Sequence, residues 1–306
     1  MILCIGEILA DMIGTVKDGS LWYERKAGGA PFNVACAAKK FGAEVKFAGS
    51  VGNDLIGDFL INFANARKLD GVLIERDNNR NTTLAFVELD ENGERSFCFY
   101  RKNTADYNLP YLSENQIAEA NIVHIGSLML SEKEGFDYAK RIIELARSQG
   151  KLISFDINYR TDIFKDKESA VKVYKEIIKY ADVVKFSDDE VKVFTESYIE
   201  NELCDKLVCI SLGGNGSKWR FKGKSNIVPS IKVKPVDTTG AGDAFYGGIL
   251  SGLDRIPPSQ WTEEKLNEIF SFANVCGALN TLGRGAIDCL PDLDAINRAV
   301  NKGDIK

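Results

Sequence analysis

The chain has 306 residues, of which 44% are hydrophobic and 27% charged, and its formal net charge is −5. This is enough chain to bury a large core in one or two domains, with the composition of an ordinary soluble globular protein. The acidic balance and the lack of a basic run argue against nucleic-acid binding, and no apolar run approaches the ~20 residues of a membrane span.

In chain order, strand-like and helix-like stretches alternate. Ile2 to Ile5 reads as a first strand, and the N-terminus around it is too short and uncharged for a signal peptide. Asn33 to Phe41 reads as a helix, with Pro31 near its start and Gly42 just past its end. Val45 to Ala48 follows as a strand, Leu55 to Lys68 as a helix and Ile122 to Ile125 as a strand. The capping-box spacing of Ser131 and Glu134 predicts a helix start there, with a stop at Gly150. Leu152 to Asp156 is a predicted strand, Lys167 to Tyr180 a helix, and Val183 to Phe186 and Leu207 to Leu212 strands. A β-rich basic segment is expected from Ile231 to Val236, and helices from Ala241, Thr262 and Asp292. Strands separated by single helices predict an α/β fold: a mostly parallel central sheet with helices on both faces.

Two segments break that rhythm. Met12 to Lys26 looks extended, with a turn near Lys17-Asp18-Gly19. Thr83 to Tyr100 reads as a hairpin turning at Asp90-Glu91-Asn92-Gly93. Together they predict a small second sheet whose apolar faces need cover. The seven cysteines are scattered without a CxxC pair, so they read as buried thiols of a reducing compartment, with no disulfides expected and a cytoplasmic location. His124, the single histidine, lies inside a predicted strand and reads as a packed, satisfied side chain.

The most informative stretch is Asp237-Thr238-Thr239-Gly240-Ala241-Gly242-Asp243. Small residues at 240–242 let the backbone turn tightly and approach a ligand, and they open a helix whose N-terminus favours an anion. Asp243 puts a carboxylate into that anion site. Such a group suits a general base that takes a proton from a hydroxyl attacking a phosphate, at the ordinary low pKa of an aspartate. The plainer reading is a turn followed by an acidic first helical turn.

This stretch resembles the C-terminal signature of the ribokinase-like (PfkB) carbohydrate kinase family. Ala27-Gly28-Gly29-Ala30-Pro31-Phe32-Asn33-Val34-Ala35 resembles the N-terminal signature. Two long motifs in the right order, about 200 residues apart, are a strong signal, and the resemblance covers essentially the whole chain. It implies an ATP-dependent sugar kinase of one ribokinase-like α/β domain spanning 1–306. A small β-sheet lid would be formed by about 12–27 and 82–106, and such lids are often dimeric.

The resemblance also implies roles. Gly240, Ala241 and Gly242 would supply backbone donors for the transferred phosphate, with Asp243 as base. Asp11, expected in the loop after the first strand, would bind sugar hydroxyls with Gly28, Gly29 and Asn33. Asp156-Ile157-Asn158-Tyr159-Arg160 resembles the D-x-N-x-R element of fructokinases, which places Asn158 and Arg160 near the phosphate path. Arg101 would reach the sugar from the lid. Lys185 to Glu190 resembles the N-x-x-E element, with Ser187 where many members have Asn. Glu190 would hold hydrated Mg²⁺ through water. Ser211, Gly213 and Gly216 resemble the nucleotide loop, and Lys185 and Asn274 would join them around ATP. Asp237, Thr239, Asn280, Gly283 and Gly285 would hold a monovalent cation such as K⁺.

Among relatives the chain looks most like a fructokinase, since Ala30-Pro31-Phe32-Asn33 follows the G-G-A-P-x-N form. Ribose, 2-keto-3-deoxygluconate and nucleosides are the alternative substrates. A sugar-binding regulator without catalysis is the rival of another class. A nicotinamide-dependent dehydrogenase is excluded, because no G-x-G-x-x-G follows the first strand.

Overall fold

The computed structural model describes residues 1–89, 95–161 and 163–301. The first third of the chain holds β1 (Ile2–Ile5), β2 (Leu9–Lys17), β3 (Ser20–Gly28), α1 (Ala30–Lys40), β4 (Val45–Gly52), α2 (Leu55–Ala66) and β5 (Gly71–Asp77). The middle holds β6 (Leu84–Leu89), β7 (Arg95–Tyr100), α3 (Glu114–Ala118), β8 (Ile122–Ile125), α4 (Lys133–Ser148), β9 (Leu152–Asp156), α5 (Lys167–Ile178) and β10 (Val183–Ser187). The last third holds α6 (Asp188–Phe194), α7 (Glu196–Glu202), β11 (Leu207–Ser211), β12 (Ser217–Phe221), β13 (Lys224–Val228), α8 (Ala241–Leu253), α9 (Glu263–Asn280) and α10 (Leu293–Asn301).

Among the described residues, nine strands form one sheet in the order β13-β12-β11-β10-β9-β8-β1-β4-β5. From β11 to β5 every neighbouring pair is parallel; β12 and β13 extend one edge as an antiparallel pair. The expected α/β architecture is therefore present. Successive side chains of a strand point to opposite faces. Leu3 and Ile5 accordingly join one core with Ile142 and Ile177 of α4 and α5. Ile2 and Cys4 join another with Phe32, Leu60 and Ile249 of α1, α2 and α8. The central strands are mostly apolar because both of their faces are covered.

The second sheet has the order β3-β2-β6-β7. β2 and β3 form an antiparallel hairpin around Asp18 and Gly19, β2 pairs in parallel with β6, and β6 pairs antiparallel with β7. Val16, Leu21, Trp22 and Tyr100 of this sheet are exposed. The turn expected at Asp90 to Gly93 lies outside the described residues.

Three expectations need correction. Ser131 does not cap a helix. Its hydroxyl bonds the carbonyl of Leu128 at 2.9 Å within a 3₁₀ turn, and α4 opens two residues later without a side-chain cap. Ile231 to Val236 is not a strand, because the sheet edge is already completed by β12 and β13. α1 begins at Ala30 rather than Asn33, with Pro31 in its first turn, where its missing N–H costs nothing. Strands β5 and β13 lie at the two edges of the sheet and β12 pairs antiparallel between β11 and β13; they went unread because polar residues interrupt their apolar runs.

α8 is seated by close approach and by hydrogen bonds. A methyl group on Gly247 would lie 2.6 Å from the Cβ of Ala37, so α1 and α8 touch backbone to backbone at this point. Beneath α8 the Tyr246 hydroxyl meets the Ser154 hydroxyl at 2.6 Å, and Ser154 meets His124 Nδ1 at 3.1 Å. Burial pushes the His124 pKa down to about 3, so the ring is a neutral partner of Ser154. Tyr246→Phe removes one member of this buried chain and leaves Ser154 short of a partner. The expected loss is about 1–3 kcal/mol, measured by urea unfolding.

Candidate active site

The site is built on the first turn of α8. Gly240 has φ of 73°, and a side chain there would start 2.5 Å from Ala286 Cα, so both conformation and space demand glycine. The Ala241 amide donates to Thr238 O at 3.2 Å, and the Ala244 amide to Gly240 O at 2.8 Å. Helix geometry then leaves the Gly242 and Asp243 amides without intrahelical acceptors. Of the expected donors, the Ala241 N–H is engaged within the turn, while the Gly242 N–H is open and the Asp243 N–H joins it.

Asn33, in the first turn of α1, donates from Nδ2 to Asp243 Oδ2 at 2.8 Å. The two signature motifs thus meet at one bond. Burial raises the Asp243 pKa above the ordinary aspartate value, opposed by the Asn33 hydrogen bond and by the charges of Lys185 and Arg160. The ordinary low pKa expected from sequence is corrected accordingly, because folding removes the carboxyl from water.

Two cavities flank this turn. One of about 380 Å³ is lined by Ser211, Gly213, Gly216 and Asn274, together with Thr238 and Gly242. The other, of about 300 Å³, is lined by Asp11, Gly29, Asn33, Asn158, Arg160, Lys185 and Asp243, again with Thr238 and Gly242. The α8 N-terminus is their common wall. Asp11 lies inside β2 rather than in the expected loop, since the chain passes directly from β1 into the small sheet. Gly28 lies against its carboxylate, and any side chain at 28 would collide with it. Asn158 has φ of 40°, a strained conformation for a non-glycine residue, where it borders the cavity.

Other candidates are placed differently. Arg101 is buried and does not line either cavity: its guanidinium bonds Asp106, Tyr107 and the Leu128 carbonyl. Lys185 borders the cavity of Asp243, not that of Ser211, and its ammonium lies 2.9 Å from both oxygens of Asp156. Glu190 borders neither cavity. Its oxygens accept from the Tyr159 and Ser187 amides at 2.7 Å each, in a reciprocal cap of α6. Sequence reasoning missed Glu7, Phe99 and Leu128 on one side, and Lys232 and Val233 on the other. Only Glu7 carried a signal, as an acid at the carboxyl end of a parallel strand.

Charge is crowded beneath the shared wall. Burial pushes Asp156 up to about 7, reinforced by Glu190 and Asp243 and opposed by Lys185. The same three carboxylates raise Lys185 against its own burial. Among the described residues no group of three or more His, Cys, Asp or Glu is arranged to hold a metal. The surplus of carboxylates fits a divalent cation that keeps its waters and binds phosphate, rather than one in an all-protein cage.

Asp237 accepts from the Thr239 amide at 2.7 Å and the Gly285 amide at 3.0 Å, while Asn280 Nδ2 donates to Thr239 O at 3.2 Å. Asn280 Oδ1 is buried without a hydrogen-bond partner. An oxygen-only donor set with one open acceptor fits a monovalent cation. A side chain on Gly283 would collide with the Cys289 thiol.

The sequence profile described as pfkB family carbohydrate kinase matches residues 1–293. The chain is 37% identical to probable fructokinase-7 of Arabidopsis thaliana, covering 97% of this chain and 91% of that protein. It is 35% identical to fructokinase-1 of Zea mays, covering 99% and 98%. It superposes on a fructokinase with bound ATP from Xylella fastidiosa with a TM-score of 0.91 at 28% identity, covering 98% of each chain. A fructokinase from Vibrio cholerae O395 in fructose, ADP and calcium ion bound form gives 0.86 at 30% identity, covering 97% of each.

Lys185→Met leaves Asp156 as a buried carboxyl without its cation. The expected cost is about 3–5 kcal/mol, read from the shift of the urea midpoint at pH 8.

Proposed function

We propose that this chain, which belongs to the pfkB family of carbohydrate kinases, is an ATP-dependent fructokinase converting D-fructose and ATP to D-fructose 6-phosphate and ADP. The observation that carries this reading is the shared wall: one helix N-terminus with a buried carboxylate stands between a cavity fit for a nucleotide and a cavity fit for a sugar. The relatives named above supply the substrate, and the single unit 1–306 with its small sheet as lid follows the same likeness.

The chemistry follows from the geometry. Asn33 holds Asp243 by one oxygen, which leaves the other to accept the proton of the sugar's primary hydroxyl as that oxygen attacks the γ-phosphorus. The bond to the ADP oxygen breaks in line, and the α8 amides stabilise the charge on the transferred group. The raised pKa makes Asp243 a stronger base than an exposed aspartate. Asp11 and Asn33 hold sugar hydroxyls, and Arg160 and Lys185 offset phosphate charge. Mg²⁺, bound through phosphate and water near Glu190, would neutralise the polyphosphate.

K⁺ would sit among Asp237, Thr239, Asn280, Gly283 and Gly285, and order the loop that abuts Gly240. The exposed apolar residues of the small sheet, Val16, Leu21, Trp22 and Tyr100, suit a homodimer formed lid to lid. Seven unpaired thiols suit a reducing, cytoplasmic setting. Among the described residues no helix is long and apolar enough to cross a membrane.

ADP release from MgATP is expected to be fastest with fructose in a panel that includes ribose, 2-keto-3-deoxygluconate, adenosine and no sugar. Preference for another sugar keeps the mechanism and overturns the substrate. Sugar binding without turnover favours a binding protein. Asp243→Asn should lower kcat by about 10²–10⁴-fold while calorimetry still detects sugar binding; an unchanged kcat removes Asp243 as base. A base must be ionised, so wild-type kcat should fall with falling pH, starting above the ordinary aspartate range. Chelation of divalent ions should abolish turnover, and replacing K⁺ by a bulky organic cation should reduce it.

A further inference from the structure

One carboxyl beside the sugar cavity has no part in the chemistry described. Glu7, at the exit of β1, is 1% exposed and lines the cavity of Asp11, Asn33 and Asp243. Neither of its oxygens has an aligned hydrogen-bond partner. Gly126 and Pro31 pack around it so closely that a side chain on Gly126 would begin 2.9 Å from Glu7 Oε2. Its position is fixed by the turn at Gly6, whose φ is 150°, and by Gly29, whose backbone crosses over that of Glu7.

The cation acting on Glu7 is Arg101, but that guanidinium is committed elsewhere. Nε donates to Asp106 Oδ2 at 2.7 Å, Nη2 lies 2.6 Å from the same carboxylate in an ion pair without an aligned hydrogen bond, and Nη1 bonds Tyr107 and Leu128. One guanidinium cannot neutralise two buried carboxylates, and Asp106 holds the direct bonds. Burial therefore pushes the Glu7 carboxyl up to about 8. Arg101 and the amides of Glu7 and Ala30 oppose the shift, and Asp106 reinforces it. At neutral pH the group is a neutral acid, with one O–H to donate and an oxygen to accept. A polar group of this kind in a cavity wall is completed by a ligand that offers both functions, as a hydroxyl does.

We propose that Glu7 is a specificity-determining residue for the sugar, its carboxyl completing its hydrogen bonds on a substrate hydroxyl in this cavity. The inference rests on the kinase reading and deepens it. A sugar without the matching hydroxyl leaves the carboxyl unpaired beneath the wall and is rejected, whereas a purely apolar wall would discriminate weakly. Glu7 does not line the nucleotide cavity, so its effect is expected on sugar affinity and not on MgATP affinity.

The test is calorimetric titration of the full chain with fructose, alongside steady-state kinetics, for the wild type, Glu7→Met and Glu7→Gln. Glu7→Met keeps the length and loses the hydrogen bonds. It is expected to weaken fructose binding about ten-fold or more while KM for MgATP stays put. Glu7→Gln, which restores a donor and an acceptor, is expected to recover most of that loss. A purely structural role would lower thermal stability without separating the two substrates. Wild-type fructose affinity in folded Glu7→Met overturns the proposal, and so does an equal loss of MgATP affinity. Should Glu7→Met not fold, Glu7→Asp replaces it, with ten-fold weaker binding supporting the proposal and unchanged binding overturning it. If the wild type binds fructose without releasing ADP, the kinase reading falls, and the ratio of dissociation constants still decides Glu7. If the panel reveals another preferred sugar, the titration uses that sugar. A wild type that binds no sugar overturns both.

Discussion

The hydrogen bond from Asn33 to Asp243 joins residues 210 positions apart and brings two helix N-termini face to face. Everything else in the site depends on that meeting. It requires α1 and α8 to pack closely, which the small residues Gly247 and Ala37 allow. It requires α8 to begin at a fixed place, which the left-handed turn at Gly240 and its contact with Ala286 ensure. It also requires the sheet to hold α8 at the right height, which the buried chain of Tyr246, Ser154 and His124 supports.

The second constraint is electrostatic. Removing carboxyls from water raises their pKa values, and this fold does so repeatedly beneath one surface: Glu7, Asp156 and Asp243 are all shifted upward, each chiefly by burial. Lys185 and Arg101 each answer one carboxylate directly, Asp156 and Asp106 respectively. Among the described residues Glu7 and Asp243, by contrast, form no such direct ion pair. A molecule that brings cations and hydroxyls, as a magnesium nucleotide and a sugar do, is complementary to such a surface. The acidity that speaks against nucleic acids at the level of the whole chain is thus organised locally for a small anionic ligand carrying its own metal.

The two sheets divide the labour. The large parallel sheet carries the carboxyl ends of β1, β8, β9 and β10 to one rim, where Glu7, Gly126, Asp156 and Ser187 emerge. The small sheet leaves and re-enters the core beside that rim, and it carries Asp11 to the sugar-sized cavity on β2. Arg101 stands where β7 returns to the core, and its bonds to Asp106, Tyr107 and Leu128 tie that re-entry down. A residue that looked like an arm reaching for the sugar serves in this arrangement as the anchor of the small sheet.

Local rules made much of this legible. Alternation of apolar runs with helical periodicity specified the α/β class, because strands covered on both faces are predominantly apolar. The Gly240-Ala241-Gly242-Asp243 turn and the Gly28 to Asn33 turn announced themselves through residue types that few other conformations require. What the sequence by itself determined, then, was the kind of fold, the two signature turns and the acid that stands at α8. Only the tertiary structure decided which groups face each other. The partners of Arg101 and Lys185, the shift at Asp243, the capping of α6 by Glu190 and the orphaned carboxyl of Glu7 all depend on contacts between distant segments. Burial and Coulomb forces act through space, and spacing along the chain carries no record of either.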